Sequence, residues 1–343
     1  MRLLLVALLS LTAISGCLSG STPETTEQPT YVAEPPLVDA GEMLATLKDF
    51  AESNPIRREN LPTHLSARDD LATMFTDAGL EVWRQNFTNG IDQENIVGIK
   101  WGEDRSTWVV IGGHYDTITT DCLFGGPMPC GGQEASQGMY DDGSGTIMTV
   151  ALAQAWANVS TPVTLVFVAF DGEERGTEGS GAFLEAVLAE ESPYGAVSVH
   201  AMLDLDMIGL NWPAINAPIN FIDNSAALQS YMRELQANLS IPEEMVVYKG
   251  GLQLGSSDYR HFWQAGIPAA FMISDFEEIG VPVVPAATPF GAYPFWHVAD
   301  TWETMVAMGG GTEANMQTGF QLSLDVATHL IWFMAVSGEP LMP

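Results

Sequence analysis

WVVIGGHYDT, residues 108–117, is the stretch whose reading decides the fold. Trp108, Val109, Val110 and Ile111 form a short, continuous apolar run closed by Gly112-Gly113, the signature of a strand covered on both faces rather than an amphipathic one. His114 and Asp116 then stand at the strand's C-terminal end. In open α/β sheets ligands bind at that edge, and a histidine with an acid two residues on suits a metal ligand with an orienting carboxylate. A hydrogen-bonded structural histidine explains the same ten residues, so the rest of the chain has to decide.

Outward from this strand the same pattern recurs. LEVWRQNF (80–87) and NIVGIKWG (95–102) precede it as strands near a sheet edge, and PVTLVFVAF (162–170) follows as another buried strand. Between them Ile147, Val150, Ala151 and Ala155 recur at helical spacing, and strand, helix, strand argues a parallel core. Two helices, 38–53 and 66–78, open the domain. Beyond the buried strand the pattern gives helices over 181–189, 226–239 and 317–336, and strands over 196–205, 219–222 and 267–273. The last helix is apolar enough to suggest a membrane span, but Asp325 and His329 interrupt it. The expected fold is α/β: a single globular domain over 38–343 with a mixed, mostly parallel central sheet and helices on both faces.

With 343 residues and 46% hydrophobic content the chain can bury a sizeable core. Its 43 acids outnumber 12 bases, only three of them lysines (Lys48, Lys100 and Lys249), for a formal charge of -31. Such a surface repels phosphates and anionic membrane faces, which excludes nucleic acid as an expected partner. Because the acids are scattered, a solvated acidic surface is the reading. Residues 1–17 combine Arg2, an apolar core and small residues before Cys17, as a signal peptide does. Ile14-Ser15-Gly16-Cys17 resembles a lipobox, so the expected location is extracytoplasmic, either lipid-anchored at Cys17 or secreted. Residues 18–37, rich in Ser, Thr, Glu and Pro, read as a disordered tether. Cys122 and Cys130, eight residues apart in a Gly/Pro-rich loop, read as a loop-closing disulfide, with two free thiols as the alternative.

Four further places repeat the design of the opening stretch. GMYDDGSG (138–145) sets Asp141 and Asp142 before a helix; capping explains one acid, but two adjacent ones are costly to bury without a cation. Asp171-Gly172-Glu173-Glu174 follows the buried 162–170 strand, where one glutamate can ligate metal and the other act as general base. Asp206 ends the 196–205 strand, and His297 lies in the WHVADT loop (296–301). Imidazole and carboxylate ligands gathered from five separate segments are what zinc-like ions require.

The motifs GGHYD, YDDGSG, FDGEERG, LDLDMIG, SSDYRHFWQAGIPA and FWHVADT, in this order, resemble the co-catalytic di-zinc aminopeptidases of metallopeptidase clan MH, relatives of glutaminyl cyclases and transferrin-receptor-like domains. The resemblance runs from about residue 38 to the C-terminus. It implies two Zn2+ ions, with His114 and Asp206 ligating one, Glu174 and His297 the other, and Asp141 bridging both. Asp116 would orient His114, and Glu173 would be the general base. A cis peptide between Asp141 and Asp142 is also implied, and Asp258 would support the site from behind. Tyr140 stands where the family often has Asn or Asp, which leaves the ligand set intact. The activity implied is removal of N-terminal residues from peptides, with loops 118–137 and 276–296 shaping the substrate pocket. A glutaminyl cyclase-like acyltransferase on the same fold and a non-catalytic binding lipoprotein remain the alternatives, as do carboxypeptidase and dipeptidase action within the wider clan.

Overall fold

The computed structural model describes residues 31, 33–117, 137–211, 218–250, 257–274, 283–285, 292–294 and 300–342. Residues 1–30, both loop cysteines and His297 lie outside them, so the expected signal peptide, lipid anchor, disulfide and second histidine ligand all fall outside the described residues.

Eight strands form one mixed sheet: β1 (Glu81–Thr88), β2 (Asp92–Lys100), β3 (Asp104–His114), β4 (Val163–Phe170), β5 (Ser198–Leu205), β6 (Ile219–Asp223), β7 (Val246–Gly250) and β8 (Ala269–Ser274). Their order is β1-β2-β4-β3-β5-β8-β6-β7, which puts the 108–113 run in the middle. β4, β3, β5 and β8 run parallel, whereas β1 and β2 join antiparallel on one side and β6 antiparallel on the other.

Side chains alternate between two cores, as a period of two demands. On one face lie Val109, Ile111, Leu165, Phe167, Leu203 and Leu205; on the other lie Trp108, Val110, Val166, Val168 and Met202. The first face is covered by α1 (Ala40–Ser53), α2 (Pro62–Asp77), α3 (Gly143–Trp156), α5 (Ala226–Asn238), α7 (Trp302–Met308) and α8 (Glu313–Ala335), which contribute Leu47, Phe75, Ile147, Met232, Met305 and Leu330. α4 (Glu178–Leu188) and the short α6 (Tyr259–Gln264) cover the second with Phe183, Val187 and Phe262. Each such side chain stabilises the fold by roughly 1.5–3 kcal/mol when fully buried. This two-sided cover is why the central strands lack amphipathic alternation. Among the described residues no helix is long and apolar enough to cross a membrane.

Three readings of the sequence need correction. Gly112 and Gly113 do not close β3 but pair within it, opposite Val168 and Ala169 of β4. Their role is close approach: a Cβ on Gly113 would sit 2.4 Å from the Leu205 carbonyl oxygen and 2.6 Å from Asp142 Oδ2. A Cβ on Gly145 would sit 1.9 Å from the same Leu205 oxygen, so glycine is what lets the first turn of α3 rest on the end of β5. Second, β3 begins four residues before Trp108, because polar Asp104 still pairs with β4, across a bulge, and Thr107 with β5. Third, β7, α6 and α7 were not anticipated, and part of the 276–296 segment forms a small antiparallel pair, β9 (Val283–Pro285) with β10 (Ala292–Pro294).

Candidate metal centre

Parallel pairing sends the C-terminal ends of β3, β4 and β5 to one edge of the sheet, and the acids that follow them converge there. His114 closes β3, the 171–174 turn follows β4, and Asp206 follows β5. Asp141 and Asp142 arrive on the turn that opens α3, joined by a cis peptide as the resemblance implies. The two adjacent aspartates divide their work. Asp142 is the N-cap of α3: its carboxylate accepts from the Gly145 N–H at 2.8 Å and the Met207 N–H at 3.1 Å. A cap of this kind is worth about 1 kcal/mol. Asp141 faces His114, its Oδ1 3.3 Å from Nε2.

Around His114 Nε2 the carboxylates close in. Asp206 Oδ1 lies at 3.7 Å and Glu173 Oε2 at 3.9 Å. His114, Asp141 and Asp206 are all buried, and one donor atom from each lies within 4.8 Å of the others, a set able to hold a metal ion. Asp206 Oδ1 is buried without a hydrogen-bond partner, as an atom reserved for a cation would be. Nδ1 of His114 is 3.1 Å from the Asp116 carbonyl oxygen and 3.4 Å from its carboxylate. With Nδ1 donating there, Nε2 is the nitrogen that faces the acids, the arrangement typical of metal-bound histidine. Imidazole with carboxylates suits zinc, so the residues present fit that ion.

Asp116 also serves the neighbouring turn. Its two carboxylate oxygens accept the N–H groups of Glu173 at 3.1 Å and Glu174 at 3.3 Å, fixing the short 3-10 turn Glu173–Arg175 against β3. Behind that turn His64 Nε2 meets Asp171 Oδ1 at 2.9 Å while its ring stacks on Tyr115, and Asp171 accepts the Glu94 N–H. His261 meets the Thr177 hydroxyl at 2.8 Å.

The electrostatics carry the mark of crowded, dry acids. Burial pushes the Glu173 carboxyl well above its ordinary range, with Glu174, Asp206 and Asp258 adding to the shift and His114 opposing it. Burial does the same to Glu174 and to Asp142. For His114 burial opposes the charged form, yet the surrounding carboxylates of Asp116, Asp141 and Asp206 outweigh it and raise the imidazole well above its usual value. Positive charge is what this cluster favours, and a divalent cation supplies it while returning the acids to their ionised forms. Asp258 is fully buried within the field of Glu173, and burial lifts its carboxyl to about 7.

Two groups here carried no role in the sequence reading. Asp300 lay inside a quoted motif, and its carboxylate accepts the N–H groups of Tyr140 at 2.9 Å and Asp141 at 2.8 Å, holding the turn from below. Burial pushes it up to about 8. Arg57, in the α1–α2 loop, belonged to no motif. The structure thus brings His114, Asp116, Asp141, Glu173 and Asp206 together and sets Glu174 beside them through its shared field with Asp141, whereas His297 lies outside the described residues.

Similarity to known proteins agrees with this arrangement. A probable zinc metalloprotease of Pyrenophora teres f. teres is 32% identical over 114 residues, covering 33% of this chain and 22% of that protein. Aminopeptidase YwaD of Bacillus subtilis is 29% identical over 191 residues, covering 54% of this chain and 36% of its own length. The aligned part thus spans well under half of either relative. Among solved structures, a zinc aminopeptidase from Bacillus subtilis superposes with a TM-score of 0.65 at 14% identity, covering 88% of this chain and 96% of that one. Porphyromonas gingivalis glutaminyl cyclase gives 0.60 at 16% identity, covering 86% and 98%. These two likenesses establish the shared fold. Residues 95–309, more than half of the chain and the span holding every proposed ligand, match the model of peptidase family M28, and the chain belongs to that family.

Proposed function

We propose that the protein is a zinc-dependent aminopeptidase that removes N-terminal residues from peptides. The observation that carries the reading is the convergence of Asp141, Asp206 and Glu173 on His114 Nε2, within 3.9 Å, at the C-terminal edge of a parallel sheet. In this reading His114 and Asp206 hold one zinc ion, Glu174 and His297 a second, and Asp141 both. Bound there, the metal would supply Lewis acidity to polarise the scissile carbonyl and make water a better nucleophile near neutral pH.

The chain's own residues do the remaining work. Glu173, on a turn fixed by Asp116, takes a proton from the attacking water and returns it to the leaving amine, so that one water and one peptide bond become a carboxylic acid and an amine, which ionise to carboxylate and ammonium by passing the acid's proton to the amine. A carboxyl whose ordinary value is raised by burial matches that double duty better than a solvated one. Asp116 holds the histidine through its carbonyl and the glutamates through its carboxylate. Asp142 and Asp300 keep the Asp141 turn in place. We further propose that residues 1–17 direct export and that the enzyme works outside the cytoplasm on peptides taken as nutrient. The lipobox-like sequence before Cys17 supports this.

Elemental analysis of the purified chain tests the metal reading: two zinc ions per chain are expected. One ion per chain would favour the cyclase-like alternative, and none would overturn the catalytic reading.

A further inference from the structure

Arg57 lies in the loop between α1 and α2, outside the residues that match the family, yet it is fully buried beneath the site. Its guanidinium spreads over carbonyls from two separate segments. Nε donates to the Tyr115 carbonyl at 2.6 Å, Nη1 to Gln137 at 2.9 Å, and Nη2 to Gly138 at 2.8 Å. Nη1 also lies 3.4 Å from the Asn54 carbonyl, and the backbone carbonyl of Arg57 accepts the Thr117 N–H at 3.2 Å. Tyr115 sits between His114 and Asp116. Gly138 leads into the Asp141 turn, and its carbonyl also accepts the Gly143 N–H at 3.0 Å.

The surroundings are built around this one side chain. Gly138 has φ +57, and a Cβ there would lie 2.9 Å from Nη2 and 2.4 Å from Thr117 Cγ2, so any other residue would press on the guanidinium. Ile56 and Asn60, on either side of the arginine, both hold left-handed backbone (φ 52 and 64), a strain that persists only where the neighbourhood dictates it. The planar fork reaches three carbonyls at fixed angles, which a lysine ammonium does not reproduce. Asp300, Asp142, Asp116 and Asp141 surround it electrostatically and favour its charge, although burial lowers it to about 10, so it remains a cation at neutral pH.

We propose that Arg57 is a positioning residue: its guanidinium ties the end of β3, which carries His114 and Asp116, to the turn that carries Asp141, and so fixes the spacing of the metal-holding side chains. The inference rests on the metallopeptidase reading for its effect on turnover and is independent of it for its effect on zinc affinity. Without the clamp the Thr146 hydroxyl, which donates to the His114 carbonyl at 2.6 Å, still ties the first turn of α3 to β3, but the Gln137-Gly138 lead into the Asp141 turn loses its tie to Tyr115, and His114 Nε2 and Asp141 Oδ1 lose that common reference.

The test compares wild type, Arg57→Lys and Arg57→Gly, reading zinc affinity by chelator competition, kcat and KM on an aminoacyl-p-nitroanilide, and amide exchange at Thr117 and Gly143. Arg57→Lys keeps the charge and is expected to fold, with zinc held at least 10-fold more weakly, kcat down 10-fold or more, KM within about 3-fold, and faster exchange at both amides. Added guanidinium ion, and not sodium chloride at equal ionic strength, is expected to recover zinc affinity and kcat in Arg57→Gly. Wild-type zinc affinity and kcat in folded Arg57→Lys would overturn the proposal. So would loss of activity only in proportion to loss of folded protein, with no rescue by guanidinium. If wild type binds zinc but hydrolyses nothing, the aminopeptidase reading fails while the zinc-affinity comparison still decides the role of Arg57.

Discussion

Replacing Gly113 with alanine perturbs the catalytic edge without adding or removing a titratable group. The new Cβ would stand 2.4 Å from the Leu205 carbonyl oxygen, 2.6 Å from Asp142 Oδ2 and 3.1 Å from the Gly145 carbonyl carbon, where ordinary contact begins near 3.4 Å. Relief therefore needs a retreat of about 1 Å by atoms that are poorly free to move, since interiors are close-packed. Leu205 is paired into the central sheet with β8, and Asp142 is bonded to the Gly145 and Met207 amides. Overpacking of this kind costs about 1–3 kcal/mol. The same retreat carries Asp206, the next residue along from Leu205, away from His114 Nε2, which it now approaches to 3.7 Å. A misplacement of about 1 Å in a catalytic constellation lowers turnover on the order of 100-fold. Urea unfolding and kcat/KM on an aminoacyl-p-nitroanilide read the two effects separately. The expected variant is folded, destabilised by about 1–3 kcal/mol and slowed about 100-fold. Wild-type stability together with wild-type kcat/KM would refute the argument that α3, β3 and β5 meet here without room for a methyl group.

Other perturbations follow from the same geometry. Glu173→Gln should lower kcat by about 100- to 10,000-fold while zinc stoichiometry stays unchanged, because it removes only the proton carrier. In the metal-free protein the same change should raise the thermal midpoint, since a carboxylate penalised by burial among like charges is replaced by a neutral amide; calorimetry with and without chelator checks both signs. Lys100, nearly buried against the Thr161 hydroxyl at 2.7 Å, is lowered by burial from 10.5 to about 8. Between those values the unfolded chain binds more protons than the folded one, so this group's penalty stands in full below pH 8 and is relieved as pH rises towards 10.5. Lys100→Met should therefore be more stable than wild type at pH 7, and the difference should shrink by pH 10.5; an equal difference at both would contradict it.

Legibility in the sequence followed how local each determinant is. The central strands were readable because burial on both faces leaves continuous runs such as Val163–Phe170, and α8 because its apolar face repeats at helical spacing. Asp104–Thr107 were missed since a polar sequence pairs through backbone bonds that composition does not register. Gly112 and Gly113 read as a stop because the need for their missing side chains lies in β4, β5 and α3, far away in the chain. The site was readable as far as residue types recur after strands, which marked His114, Asp141, Glu173 and Asp206. Arg57 and the role of Asp300 were not, because an arginine in a loop resembles any surface cation, and Asp300 acts on amides 160 and 159 residues earlier. A single hint existed: an arginine within P-I-R-R-E-N, between two helices of an acid-rich chain, has many carboxylates to answer.

The central claim is that this edge of the sheet hydrolyses peptides from a free N-terminus with the help of bound zinc. The most direct measurement is product analysis, by mass spectrometry, of one peptide series offered with free and with acetylated N-termini to the zinc-loaded protein, with and without chelator. Sequential release of N-terminal residues from the free peptides only, stopped by chelator and restored by zinc, is the expected result. No release from either series by protein that holds its zinc would contradict it.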